Sequence, residues 1–388
     1  MLKTTVLLLF LSIFKIGFAQ KEVTVFESGK EGFSIFRIPS IINLPNQKII
    51  AFAEGRVNGG ADFGNIKLVM KSSDDQGLTW SPLKQVVSFD NWQVGNAAPV
   101  VDLLDPEYPK GKIYLFYNTG NASEQEVRNG KGLREVWYIT STDQGKSWST
   151  PTNITSQVHY ANGRMEDRNY QSEKDWRTYA NTPGHATQCL EGKYKGRIYI
   201  AANHSQGSPK QKYTDYSSHG YYTDDHGKSF KISESLPIQG SNESTAAFVS
   251  NDRLILNARN QRGDIKNRIV AISKDGGAHF DTSFYDQKLI DPVCEAALLN
   301  IGKKNNKTIL AFVNNADTMY RNHLTLSISM DEGVSWPIQK EIARTNDLQI
   351  AIKDFTAYAD LIKLGSRKVG VLFEKNNYSK INFKLIKW

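Results

Sequence analysis

The sequence has almost no cysteine: Cys189 and Cys294 are the only two in 388 residues. That scarcity excludes a Cys-rich metal centre and a densely stapled scaffold. It leaves the pair open between one disulfide in oxidising surroundings and two buried free thiols. No segment is low in complexity, so disorder is not the default. No stretch sustains a helical period. No run of Lys or Arg occurs either. The 48 basic and 40 acidic residues are interspersed, for a formal charge of +8. Nucleic-acid binding calls for a clustered basic face, so nucleic acid is set aside, and the mild positive excess suits an anionic substrate. The seven histidines make no close-spaced ligand pair, and the Asp/Asn-rich turns do not read as Ca²⁺ loops. No metal and no cofactor is expected.

A membrane span is missing too. The longest early apolar run, Val6–Phe14, falls short of the roughly 20 residues that cross a bilayer, and Lys15 follows it. With Lys3 before the run and a small-residue site ending at Ala19, residues 1–19 read as a secretory signal. No Cys stands at the cleavage point, so a lipid anchor is not indicated. Its removal leaves 46 basic against 40 acidic residues, a charge of +6. The expectation is a secreted or periplasmic monomer with one catalytic-sized domain over residues 20–388.

What is present, five times, is a short turn. Ser73-Asp-Asp-Gln-Gly-Leu-Thr-Trp80 recurs as Ser141-Thr-Asp-Gln-Gly-Lys-Ser-Trp148, Thr223-Asp-Asp-His-Gly-Lys-Ser-Phe230, Ser273-Lys-Asp-Gly-Gly-Ala-His-Phe280 and Ser329-Met-Asp-Glu-Gly-Val-Ser-Trp336. The shared aspartates, Asp75, Asp143, Asp225, Asp275 and Asp331, lie 68, 82, 50 and 56 residues apart. Near-copies at such intervals mark a repeat architecture. In each, the carboxylate can accept backbone N–H groups, the Gly supplies a positive φ, and the aromatic is expected to pack the turn onto its own sheet.

Between the turns run short β-branched and aromatic stretches, such as Lys48–Ala53, Lys112–Tyr117 and Val369–Phe373. Many short strands in fixed units predict an all-β fold, a six-bladed β-propeller with Asp-box turns. The sixth unit is expected to have lost its box near Lys375–Ser379. A strand around Val23–Phe26 is expected to close the ring against the last blade. Two long irregular stretches, Tyr160–Gly184 and Asn203–His219, are expected to rim the mouth of an axial pocket.

Four arginines stand beside hydrophobic strands: Arg37 in Phe36-Arg-Ile-Pro-Ser40, Arg56, Arg259 and Arg321. A buried charge needs a partner, and strands of a propeller converge on its axis. Several guanidiniums there can grip one small carboxylate bidentately.

The Phe-Arg-Ile-Pro segment, the five boxes and the arginine spacing resemble the sialidase (neuraminidase) family of bacterial and animal type, from Phe36 to Glu374. The resemblance implies an exo-α-sialidase. Arg37, Arg259 and Arg321 match its carboxylate-binding triad, and Glu374 the carboxylate that orients the first arginine. Asp62 matches its acid/base aspartate, Tyr358 its nucleophile, and Glu243, sixteen residues before Arg259, the base beside it. Arg56 resembles an auxiliary arginine near the sugar's 4-hydroxyl, and Asn96–Val100 a further segment beside the pocket. The implied substrate is a sialylated glycoprotein, glycolipid or oligosaccharide. One run departs: Asn181-Thr-Pro-Gly-His-Ala-Thr-Gln188 stands where the family has a Gly-rich segment, which puts contacts to the glycerol tail or leaving group in doubt. A relative that transfers sialic acid or forms an anhydro product, and a propeller that only binds, stay open as alternatives.

Overall fold

The strands of the computed structural model gather into six separate antiparallel sheets, and the model describes residues 22–160 and 175–388. The expected secretory signal and the charged run Arg164–Tyr170 lie outside the described residues. Each sheet is one blade. The first holds Ile35–Asn43, Ile49–Arg56, Ile66–Ser73 and Lys84–Val87. The second holds Gln93–Asp102, Lys112–Gly120, Arg134–Ser141 and Thr152–Asn153. The third is built on Trp176–Asn181, Ile198–Gln206, Tyr216–Thr223 and Lys231–Ile232. Ser241–Phe248 opens the fourth, and Ala297–Lys304 the fifth.

The sixth blade joins the chain's two ends. Thr356–Lys363, Lys368–Lys375 and Lys380–Lys387 are followed in space by Glu22–Glu27. Val23 pairs with Phe383 and Glu27 with Lys380, so the ring closes as expected. The missing sixth box is explained differently from the expectation. Every box joins the third strand of its blade to the fourth, whereas Lys375–Ser379 joins the second to the third. In the sixth blade the fourth strand comes from the other end of the chain, so no such connection exists to carry a box.

The boxes are built as their sequences suggest. In the first, Asp75 Oδ1 accepts the N–H groups of Leu78 and Thr79 at 3.0 and 2.9 Å, and Oδ2 takes the Thr79 hydroxyl at 2.6 Å. These donors hold the Asp75 carboxyl down at about 2. The expected packing on the box's own sheet is seen in the fifth box, where Trp336 meets Phe312, and in the third, where Phe230 meets Tyr221, but three of the aromatics also reach the neighbouring blade. Trp80 packs edge-on against Phe383 of the sixth blade, Trp148 against Phe52 of the first, and Phe230 against Phe116 of the second. Gly77, at φ +87°, lies so close to the Phe383 ring that a Cβ would collide with it. The box therefore staples one blade to the next.

The apolar core is divided accordingly into wedges between neighbouring blades, for example Ile50, Phe52, Leu115 and Tyr117 between the first and second. Two stretches expected to be irregular are partly strand. Trp176–Asn181 and the flanks of the Asn203–His219 stretch are paired in the third blade. Arg177 interrupts the apolar pattern because its guanidinium leaves the sheet to donate to Arg128 O at 2.8 Å. Both cysteines are buried free thiols. Among the described residues no helix is long and apolar enough to cross a membrane.

Candidate active site

The inner strands and the loops that enter them surround a pocket of about 430 Å³ on one face of the ring. All eight residues singled out from the sequence come to it. Seven line the pocket, and the eighth, Glu374, stands directly behind Arg37.

At the centre is Tyr358, on the innermost strand of the sixth blade. Its hydroxyl donates to Glu243 Oε1 at 2.5 Å, and the other oxygen of that carboxylate takes Arg259 Nη1 at 2.6 Å. Arg259 Nη1 also stands 3.2 Å from the phenol oxygen. Burial first, then the Glu243 charge, pushes the phenol well above its usual range, with Arg259 and Arg321 pulling it down. In the resting site the proton stays on Tyr358, and Glu243 is placed to receive it.

Arg37 and Arg321 complete an arc of cations. Arg37 Cζ is 5.4 Å from the Tyr358 ring centroid and Arg321 Cζ 5.7 Å. Burial disfavours the Arg37 cation, yet Glu374, with Tyr378 and Tyr358 beside it, more than offsets that loss and raises its pKa. The Glu374 contact is direct, Arg37 Nε to Oε1 at 2.7 Å. The same oxygen accepts the Ile38 amide at 2.8 Å, and Oε2 accepts the Tyr358 amide at 3.1 Å. One buried carboxylate thus sets both Arg37 and the backbone that carries Tyr358.

Asp62 occupies the rim of the first blade with its side chain 78% exposed, and Arg56 Nη1 donates to it at 2.7 Å. Behind Arg56 stands Glu54, which the sequence reading passed over. Its Oε2 takes Arg56 Nη2 at 2.7 Å and its Oε1 the Asn96 amide at 3.0 Å. Asn96, at φ +53°, lines the pocket wall, the one residue of the Asn96–Val100 segment to do so.

Tyr378 was also missed. It lies in the hairpin read only as a degenerate turn, where Asn376, Asn377 and Tyr378 all have positive φ. Its ring lies 3.8 Å from Arg37 Cζ, its oxygen accepts Arg321 Nη1 at 3.2 Å, and its hydroxyl donates to Asp354. It fixes two cations at once, and a strained Asn-Asn-Tyr turn was the only signal available. The departing segment Asn181–Gln188 does not line the pocket. It packs instead against the innermost strand of the sixth blade, where His185 Nδ1 meets Asp360 Oδ1 at 2.6 Å.

Histidines distant in sequence do meet elsewhere. His226 Nδ1 is 2.7 Å from Asp102 Oδ2, with Asp105 alongside, on the box face of the ring. His204 and His219 face each other through their Nδ1 atoms at 3.1 Å, under a stacked Trp176.

Chemically, the pocket offers three guanidiniums for one carboxylate, a phenol paired with a base, and an exposed carboxyl across from them. The family model described as BNR repeat-like domain matches residues 47–371. A sialidase of Micromonospora viridifaciens is 28% identical over 335 residues, covering 81% of this chain and 47% of that protein. Sialidase-2 of Cricetulus griseus is 24% identical over 94% of both chains. Among solved structures, the Hadza microbial sialidase Hz136 aligns with a TM-score of 0.75 at 23% identity, over 94% of this chain and 68% of that one. The leech intramolecular trans-sialidase, complexed with 2,7-anhydro-Neu5Ac, gives 0.74 at 15%, over 96% and 71%. These two likenesses show the fold. The chain spans about half the length of the Micromonospora relative and 64% of a Bacteroides fragilis sialidase.

Proposed function

The chain belongs to the BNR repeat-like domain family, and on that premise we propose that it is a secreted exo-α-sialidase that removes terminal α-linked sialic acid from glycoconjugates with retention. The observation that carries this reading is the 2.5 Å contact between Tyr358 and Glu243 inside the arc of Arg37, Arg259 and Arg321.

Sialic acid bears its carboxylate on the anomeric carbon itself. A carboxylate nucleophile, the usual choice of a retaining glycosidase, would approach that carbon against a like charge. A phenol avoids the repulsion, and the three arginines hold the substrate carboxylate beside it. In the first step Tyr358 Oη forms a bond to C2 and passes its proton to Glu243. The C2–O bond to the leaving group breaks, and Asp62 protonates the departing oxygen. In the second step water attacks C2 and gives a proton to Asp62. The tyrosyl bond breaks, and Glu243 returns the proton to the phenolate. Each group ends as it began, and no metal or cofactor enters the sequence of steps.

Arg56, anchored by Glu54, would hold Asp62 near the leaving oxygen and address the sugar's 4-hydroxyl. Residues 1–19 would direct export. Release of 4-methylumbelliferone from its α-sialoside, with the first-formed product followed by proton NMR, tests the reading. Retention with free sialic acid supports it. Inversion overturns the mechanism, and a 2,7-anhydro product or transfer to a second sugar would move the chain to the other reaction class. An inert protein that binds sialic acid would leave only a lectin.

A further inference from the structure

Glu295 takes no part in the contacts described so far, yet it brings a buried carboxyl to the back of the site. It lies two residues before the innermost strand of the fifth blade and directly after Cys294, which packs with Ile38, Ala357 and Tyr358. Glu295 Oε2 accepts the N–H of Ala359 at 2.9 Å. Its other oxygen, Oε1, has no hydrogen-bond partner among the described residues.

Ala359 is the residue after Tyr358, whose own amide goes to Glu374 Oε2. Two successive amides of the sixth blade's inner strand are therefore received by carboxyl groups from two different blades. The sheet register accounts for this. The pairing of Thr356–Lys363 with Lys368–Lys375 slips between Thr356 and Ala359, around Tyr358. Such a bulge disrupts the ladder and re-aims a side chain. Buried amides there still need acceptors, and the two carboxyl groups supply them.

We propose that Glu295 is a positioning residue for Tyr358: by receiving the Ala359 amide from the neighbouring blade, it fixes the depth and angle at which the phenol meets Glu243 and the anomeric carbon. The inference rests on the reading of Tyr358 as nucleophile. The charged groups that face this carboxyl are Glu243, Asp360 and Arg268. Burial first, then Glu243 and Asp360, hold it well above the ordinary carboxylate range, against the pull of the Ala359 amide and Arg268. An uncharged Glu295 adds no second anion beside Glu243, and a glutamine has the same shape and the same acceptor.

The test compares Glu295→Gln with Glu295→Asp on the full chain, using the fluorogenic sialoside for kcat and KM. A 2,3-didehydro sialic acid inhibitor reports the arginine clamp. Glu295→Gln should stay within about threefold of wild type in kcat. Glu295→Asp keeps an acceptor but is one methylene short, so kcat should fall about tenfold to a hundredfold with inhibitor affinity within about twofold. A merely structural role would move both readouts together or neither. Wild-type kcat in Glu295→Asp, or a loss in Glu295→Gln as large as in Glu295→Asp, overturns the proposal. Should the Asp variant not fold, Glu295→Ala takes its place with the same expected split between kcat and inhibitor affinity, and loss of kcat in the Gln variant still sinks the proposal. A wild-type chain that releases no 4-methylumbelliferone would instead sink the sialidase reading, and this inference with it.

Discussion

Glu374 is bonded to Tyr358 through the backbone and not through the phenol: its Oε2 takes the Tyr358 amide at 3.1 Å while its Oε1 holds Arg37 Nε at 2.7 Å. Position of the Tyr358 backbone and position of the Arg37 guanidinium are thereby one variable. Glu374→Gln keeps an acceptor for only one of these donors and removes the charge that balances a buried Arg37. We expect KM to rise and kcat to fall together, about a hundredfold in kcat/KM, with a lower melting temperature. A change confined to KM would separate the two roles.

The clamp itself is tested by Arg37→Lys, Arg259→Lys and Arg321→Lys. An ammonium cannot present the planar fork, so each change should cost about 2–3 kcal/mol in kcat/KM. Arg259→Lys should be the most severe in kcat, because Arg259 also touches Glu243 and the Tyr358 oxygen. Near-wild-type kinetics in all three variants would remove the clamp from the argument.

Much of this was legible in the sequence, and the failures have a common cause. Box turns report themselves, since Asp, Gly and an aromatic are each needed at one place. Second strands run further than their apolar stretches: Lys48–Ala53 continues in the structure to Arg56, and Lys112–Tyr117 to Gly120. Their inner ends turn polar because they enter the pocket, so the pattern that announces a strand stops where function begins. Glu295 and Tyr378 were invisible for a related reason. Each acts through contacts with another blade, and sequence separation hides those contacts.

Fold and function separate at the boxes. Asp143 receives the Ser147 amide at 2.9 Å and its carboxyl is held down at about 2, led by the Ser147 hydroxyl. Asp143→Ala should lower the melting temperature and leave KM unchanged, because the turn lies on the face away from the pocket. In wild type, the part of stability due to this shift is complete above the ordinary Asp value and fades as pH falls from there toward about 2. Lost activity with an unaltered melting temperature would count against this division.

Acid should destabilise the third blade sooner. Burial holds His159 and His219 down at about 3, and His204 well below its ordinary value. All three are neutral when folded, whereas the unfolded chain protonates them near 6.5. Stability is thus full above about pH 6.5 and declines below it, by about 1.4 kcal/mol per pH unit for each histidine until the folded value is reached. His185 works the other way: burial opposes its charge, but Asp360 raises its pKa, so it stabilises below the unfolded value and loses that contribution at higher pH. Below about pH 6.5 His185 is protonated in both states and adds no slope, so the net slope there should approach that of three protons. Denaturant midpoints between pH 7 and 5 would read it, and His159→Phe should remove about one proton from the slope. An unchanged slope would contradict the assignment.

The nucleophile is the most exposed claim. A 2,3-difluoro sialic acid should leave a covalent adduct on Tyr358, because fluorine at C3 destabilises the oxocarbenium-like transition state and slows breakdown of the intermediate. Tyr358→Phe should abolish trapping while Arg37, Arg259 and Arg321 still bind a didehydro inhibitor. Asp62 lies apart on the exposed rim, 2.7 Å from Arg56, and its variant should behave differently. Fluoride leaves without acid help, so Asp62→Ala should form the adduct at near-normal rate. It should then lose the adduct slowly, since no base activates water, with hydrolysis of the sialyl-tyrosine bond slowed by about a hundredfold or more. Peptide mass mapping of the trapped chain decides the matter. An adduct on Glu243, or none on an enzyme shown to retain configuration, would exchange the roles of base and nucleophile and leave the 2.5 Å contact between Tyr358 and Glu243 as a hydrogen bond that only shapes the pocket.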